Sequence, residues 1–332
     1  MRRVRLTAIT LLASSLLLAG CGGGDEPDAA PASQSTTPGE TFAGTWPLTG
    51  LPVAEGDDAA QAHPILVTKI DNSYASAPQL GLDKADLVVE ELVEGGITRL
   101  AVFFYSEIPG KVGPVRSMRA SDIGIVPKDA DVVTSGAAHV TIRRITDAGI
   151  TYFTEGDKGF ARDSSRIAPY NLFATLSDVV TKIKQDAVRP ADYLQWGDEA
   201  SFPGGRAARK ISVQFSGGHT TEWKFSGGHY VNTNSNADKD AQFPTDSVLV
   251  LKVRIGDAGY KDPAGNFVPE TKFEGKGDAM LFHDGKVVRG TWTKDSLTGA
   301  IKLSTASGAL SVPAGHVWIE LVPEADGDVS FK

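Results

Sequence analysis

The only cysteine in this 332-residue chain, Cys21, closes a basic and then apolar leader. A single thiol cannot form an internal disulfide, so whatever follows it must be held together by its apolar core. Arg2, Arg3 and Arg5 supply the positive start, and Leu6 to Leu18 is apolar except for Thr7, Thr10, Ser14 and Ser15. That is the make-up of a secretory signal peptide, and the run is shorter than the roughly 20 apolar residues that span a bilayer. Residues 1–20 are therefore expected to be removed.

Leu18-Ala19-Gly20-Cys21 resembles a bacterial lipobox. The resemblance implies that Cys21 becomes the mature N-terminus with a diacylglyceryl group on its sulfur. The chain is then expected to be lipid-anchored to the cell membrane on its extracytoplasmic face. Each buried methylene contributes about 0.8 kcal/mol, and firm attachment needs more than one acyl chain. Residues 21–45 follow as a Gly, Pro, Ser, Thr, Ala and Asp mixture that cannot bury enough apolar surface to fold. They read as a disordered tether with a coil reach of about 25–30 Å.

The formal net charge is −8, and loss of three leader arginines leaves 30 Lys+Arg against 41 Asp+Glu, or −11. Nucleic acid is not an expected partner, because phosphate contacts require a basic face. No phosphate-cradling Gly-x-x-x-x-Gly-Lys-Ser string occurs, no metal-ligand spacing is complete, and no cofactor is expected.

Roughly 300 residues after the leader favour two domains. In the first, 46–195, β-rich runs at 65–70, 86–91, 97–105 and 131–135 alternate with helical periodicity at 117–125, 138–148 and 176–186. The interleaving predicts a mixed α/β (α+β) domain. In the second, 206–332, seven short strand patterns separated by turn residues predict a mainly-β sandwich or barrel-like domain. Asp284-Gly285 between Phe282 and Val287 is its clearest hairpin signal. Ser216-Gly217-Gly218-His219 and Ser226-Gly227-Gly228-His229 read as turns with solvent-facing histidines. Trp223, Trp292 and Trp318 read as core.

Polar residues suited to chemistry concentrate in the first domain. They lie in Lys69-Ile70-Asp71-Asn72-Ser73, Glu90-Glu91-Leu92-Val93-Glu94-Gly95-Gly96-Ile97-Thr98-Arg99, Gly113-Pro114-Val115-Arg116-Ser117-Met118-Arg119, Ser135-Gly136-Ala137-Ala138-His139, and Arg162-Asp163-Ser164-Ser165-Arg166 running into Pro169-Tyr170-Asn171-Leu172. In this order the strings resemble the YerB-like bacterial lipoproteins, a family built on a domain of unknown function followed by a second, C-terminal domain. The likeness runs from Pro47-Leu48-Thr49-Gly50 to Pro313-Ala314-Gly315-His316-Val317-Trp318. Two departures stand out: Tyr170, where the family tends to histidine, and Thr134-Ser135-Gly136-Ala137-Ala138, where it tends to a His-x-Gly-Gly-Ser type string. The family implies location and architecture but no reaction.

Function therefore rests on the residues. Arg99, Arg116, Arg119, Arg143, Arg162 and Arg166 are many guanidiniums for an acidic protein, and each fork suits a carboxylate or phosphate. With Asp71, Asn72 and Asn171 they form a candidate ligand site for an anionic envelope component, such as peptidoglycan or a wall polymer, or for an envelope partner protein. The alternative is that the arginines pair with nearby acids: Arg99 with Glu94, Arg119 with Asp122, Arg162 with Asp163. Asn171 either donates to a ligand or caps its own turn. A rival reading is a cell-wall-modifying hydrolase in which Glu91 or Glu94 acts as an acid, with Asp71 a further carboxylate and His139 a base. Ser135 near His139 reads more simply as a helix cap.

Overall fold

The computed structural model describes residues 44–332. The leader, Cys21 and the tether up to residue 43 lie outside the described residues. Strand β1 (Leu66–Asp71), strand β2 (Leu87–Leu92) and strand β3 (Thr98–Phe104) pair antiparallel in the order β2-β3-β1. Strands β4 (Asp131–Val133) and β5 (Tyr152–Phe153) continue that side in parallel.

On the other side of β2 lies the strand Val317–Pro323, parallel to β2 and also to Ser247–Lys261. Gly275–His283, Lys286–Lys294, Lys302–Thr305 and Gly308–Ala309 then extend the same sheet as antiparallel neighbours. One mixed sheet of 13 strands thus takes strands from both sides of residue 200. Every residue of β1, β3 and Val317–Pro323 is buried. Both faces of these strands are covered, so the polar residues they carry, Lys69, Asp71, Arg99 and Glu320 among them, are enclosed with the apolar ones.

On one face, Val67, Val89, Phe103, Leu251 and Leu321 meet Met118, Ile125, Ile145, Trp196, Phe273 and Trp292. On the other, Leu66, Val88, Val102, Val250 and Trp318 meet Val213, Phe215, Trp223 and Phe225. Those last four belong to a second, four-stranded sheet ordered His229–Asn232, His219–Ser226, Lys210–Ser216, Asp328–Phe331. Trp223, Trp292 and Trp318 are core, each 3% exposed or less. Asp284 and Gly285 adopt φ of 46° and 68° between the paired Phe282 and Val287, the double positive φ of a tight hairpin turn.

The molecule is mainly β, and its helices fall short of the helical layer that the sequence pattern predicts for residues 46–195. Helix α1 is Asp122–Ile125, helix α2 is His139–Asp147, and helix α3 is Leu176–Val180. The first is short because residues 116–118 are drawn into extended pairing: Arg116 N–H donates to Lys69 O and Met118 N–H to Gly136 O. After α3 the chain leaves helical geometry before Pro190, and Tyr193 N–H reaches Pro47 O. α2 buries Thr141 and Ile145, and its Arg144 grips Glu270 at 2.6 and 2.9 Å.

Candidate functional site

Cross-strand register puts Asp71 opposite Arg99 and Arg99 opposite Glu91, a charged row across three central strands. Lys69, two residues before Asp71, lies on the same face. Its Nζ contacts Glu91 Oε1 at 2.9 Å and Asp122 Oδ1 at 2.7 Å, with all three side chains wholly enclosed. Burial opposes the Lys69 charge, but Asp122 and Glu91 outweigh it and hold the ammonium above the usual lysine range. Burial, and then the Asp122 charge, push the Glu91 carboxyl up.

Three guanidiniums gather beside this triad. Arg99 is 1% exposed; its Nη1 donates to Ser117 O at 3.0 Å, and its Nε has no hydrogen-bond partner. Burial, with the charges of Arg119 and Arg116, pushes it down to about 10, which still leaves it cationic at neutral pH. Arg119 clasps Glu94 through Nη2 and through Nε at 2.9 Å, and Glu94 also stands 3.9 Å from Arg99. Burial works against the Glu94 charge, yet Arg119 and Arg99 keep it below the usual glutamate range. Arg116 is 20% exposed; its buried Nη1 is 3.4 Å from Asp71 Oδ2 without hydrogen-bond geometry, and its guanidinium lies 5.3 Å from the Tyr170 ring centre. Lys69, Arg99, Arg116 and Arg119 thus face Asp71, Glu91, Glu94 and Asp122.

Two glycine motifs aim these side chains. Gly95 and Gly96 both adopt φ of 74°, turning the chain so that Glu94 faces Arg119. Gly113 has φ of 140°, and a Cβ there would lie 2.9 Å from both Phe173 and the Val115 nitrogen, so only glycine lets Val115 and Arg116 run beside β1.

The structure brings together Asp71, Glu91, Glu94, Arg99, Arg116 and Arg119, and it separates the other predicted residues from them. Asn72 points to the opposite face. Arg162 pairs with Glu155 rather than Asp163, and its Nη1 donates to Asn171 Oδ1 at 2.7 Å, which engages the amide without a ligand. Arg166 donates to three successive carbonyls, of Ser76, Ala77 and Pro78, and so fastens that loop. Arg143 and His139 are exposed on α2. Ser135 does not cap that helix, whose N-cap is Ala138; its Oγ instead lies 3.3 Å from Ser117 Oγ. Arg119 pairs with Glu94 through its side chain, while only its backbone N–H reaches Asp122, at 2.7 Å.

Sequence reasoning places Lys69 among the polar residues suited to chemistry but gives it no role, although a lysine inside the apolar run 65–70 was the available signal. It also passed over a network on the opposite face. There Glu90 accepts from Asn72 Nδ2 (3.0 Å), Thr98 Oγ1 (2.6 Å), Thr221 Oγ1 (3.1 Å) and Trp318 Nε1 (3.0 Å), and its Oε1 is 2.8 Å from His219 Nε2. His219 is therefore no solvent-facing turn residue. Burial opposes ionisation of Glu90, but His219 and the hydroxyl donors hold it below the usual range. Its cross-strand neighbour Glu320, wholly enclosed, accepts from Trp223 Nε1 at 2.7 Å. Burial and then the Glu90 charge push Glu320 well above that range.

Among the described residues no three His, Cys, Asp or Glu side chains come together as a metal-ligand set, and no helix is long and apolar enough to cross a membrane. Comparison with known proteins matches residues 48–189 to the N-terminal domain, and residues 211–319 to the C-terminal domain, of a protein of unknown function, DUF3048. The chain is 24% identical over 302 residues to YerB of Bacillus subtilis (strain 168), which carries the name of a lipoprotein; the match covers 84% of this chain and 86% of that one. The crystal structure of YerB from Bacillus subtilis superposes with a TM-score of 0.69 at 21% identity, covering 86% of this chain and 99% of that one, so the two share a fold. With both domains matched in order, this chain belongs to the YerB-like family of DUF3048 proteins.

Proposed function

We propose that the chain is a membrane-anchored, extracytoplasmic lipoprotein that binds an anionic group of a cell-envelope component through Arg99, Arg116 and Arg119. The lipoprotein name of YerB and the Leu18-Ala19-Gly20-Cys21 string support the anchor. One observation carries the binding reading: Arg99 Nε and Arg116 Nη1 are enclosed without hydrogen-bond acceptors. A buried donor left unmade is unfavourable by about 1–3 kcal/mol, more for a charged group, and an arriving oxyanion relieves it. Carboxylates of peptidoglycan peptides and phosphates of wall polymers both fit the guanidinium fork. An acidic surface of an envelope protein carries the same chemistry.

A wall hydrolase needs a carboxyl free to meet its substrate. Glu91 is fully buried against Lys69 and Glu94 is held by Arg119, which favours binding over hydrolysis. The test is titration calorimetry with soluble peptidoglycan fragments and, separately, a glycerol-phosphate polymer. Arg116→Ala is expected to weaken binding at least tenfold without moving the melting temperature. Equal affinity in the variant, or no binding of either probe, would sink the proposal. Release of soluble product from isolated wall that stops in Glu94→Gln would establish the hydrolase instead.

A further inference from the structure

A cleft of about 710 Å³ opens away from the arginine site, between the turn after α1, the segment 185–193 and the loop 294–301. That volume suits a small molecule. Its walls include Ile125, Val126, Pro190, Tyr193, Leu297 and Ile301, and Val188 at its margin is 62% exposed, an uncovered apolar side chain. Within this apolar lining stands Lys294, only 3% exposed. Its Nζ donates to two backbone carbonyls, Ser296 O at 3.0 Å and Leu297 O, and lies 5.5 Å from the Phe273 ring centre. Among the described residues no carboxylate pairs with it.

The other charged groups of the lining are accounted for. Asp192 is held by Arg189 at 2.6 Å, Lys128 and Asp129 face each other at 4.0 Å in solvent, and Asp186 is exposed. Glu274, outside the lining, acts on Lys294 only through space. The cleft therefore holds one enclosed cation whose charge is balanced by dipoles rather than by an anion. Carbonyl dipoles orient an ammonium but leave its net charge in place.

We propose that this cleft binds a small amphipathic anion, a carboxylate or sulfonate on an apolar body, with its head group on Lys294 Nζ and its body against the Val126, Leu297 and Ile301 walls. Burial lowers Lys294 to about 8. Only the protonated amine attracts the anion, so affinity is expected to fall as pH rises above that value. Below it, binding is expected to be nearly independent of pH.

The probe is 4-phenylbutyrate, titrated calorimetrically into the lipid-anchored protein in nanodiscs with empty discs as blank. One saturable site is expected. Lys294→Met should weaken it at least tenfold and remove the alkaline fall. Should that variant fold poorly, Thr298→Trp, placed at an exposed lining position, should weaken binding equally by filling the entrance. Arg116→Ala should leave the affinity unchanged, which separates this site from the arginine cluster. Absence of saturable binding, or wild-type affinity in a folded Lys294→Met protein, overturns the proposal.

Discussion

Replacing Glu90 by glutamine removes one charge and adds one donor in a place that already holds donors. The carboxylate receives side-chain groups from Asn72 and Thr98 before residue 200, and from His219, Thr221 and Trp318 after it. An amide NH2 in the Oε2 position meets the Trp318 indole N–H, which cannot accept. Placed in the Oε1 position, it meets Thr98, Thr221 and His219, which can each present a lone pair. It also meets Asn72 Nδ2, whose amide is oriented by Gln79 Nε2 donating to Asn72 Oδ1 at 3.1 Å. In the better orientation at least one donor stays unmatched and the charge-assisted bonds become neutral. Charged hydrogen bonds contribute about 1.5–3 kcal/mol and an orphaned buried donor costs about 1–3 kcal/mol, so a loss of about 2–4 kcal/mol is expected. For a chain of this size that is a drop of about 3–7 °C in Tm. Urea and thermal unfolding at pH 7, followed by tryptophan fluorescence, measure it. A loss below about 0.5 kcal/mol, within the usual range of a surface substitution, refutes the assignment of Glu90 as an ionised hub. The acid limb provides an independent check. Because the folded Glu90 is held below its unfolded value, its contribution is present above the unfolded pKa and is lost as pH falls through the folded one. The Glu90→Gln protein should therefore lose less stability than wild type over that acid range.

Glu320→Gln is expected to act in the opposite direction. A carboxyl raised by burial and by Glu90 weakens the fold progressively as pH climbs above the unfolded glutamate range, and glutamine keeps an oxygen for Trp223. Stability should rise at pH 7 and hardly change near pH 4, measured by denaturant titration at both values; an equal change at both excludes the ionisation argument. Lys69→Met strands Glu91 and Asp122 in the core without their cation, and a loss of about 3–5 kcal/mol is expected in the same titration. A change under about 1 kcal/mol there means that the two acids are already neutral in the fold.

Much of the molecule is legible from local pattern. The short runs around β1, β2 and β3 announce strands because they are rich in β-branched, leucine and aromatic residues and bounded by turn residues, and Asp284-Gly285 announces its hairpin because both residues tolerate positive φ. Gly95, Gly96 and Gly113 mark the turns that aim Glu94 and Arg116. Helix lengths are less legible. The periodicity over 117–125 is real, but Arg116 and Met118 spend their backbone N–H groups on Lys69 and Gly136, partners that the local pattern does not reveal.

By itself, then, the amino-acid order determined the acidic character of the chain, the absence of internal disulfides, the positions of its principal strands, and the arginine-rich strings worth examining. Only the tertiary structure decided which of those strings meet. Arg99, Arg116 and Arg119 converge because β3 and the segment carrying Val115 and Arg116 both pair with β1, whereas Arg162 and Arg166 are engaged by Glu155 and by loop carbonyls. Tertiary pairing likewise set Val317–Pro323 beside β2, where Glu320 becomes the neighbour of Glu90 across 230 positions of chain. The physical reason is that propensity and periodicity act over a few residues. Strand pairing, ion pairs and burial are settled by long-range contacts whose partners the local sequence does not name.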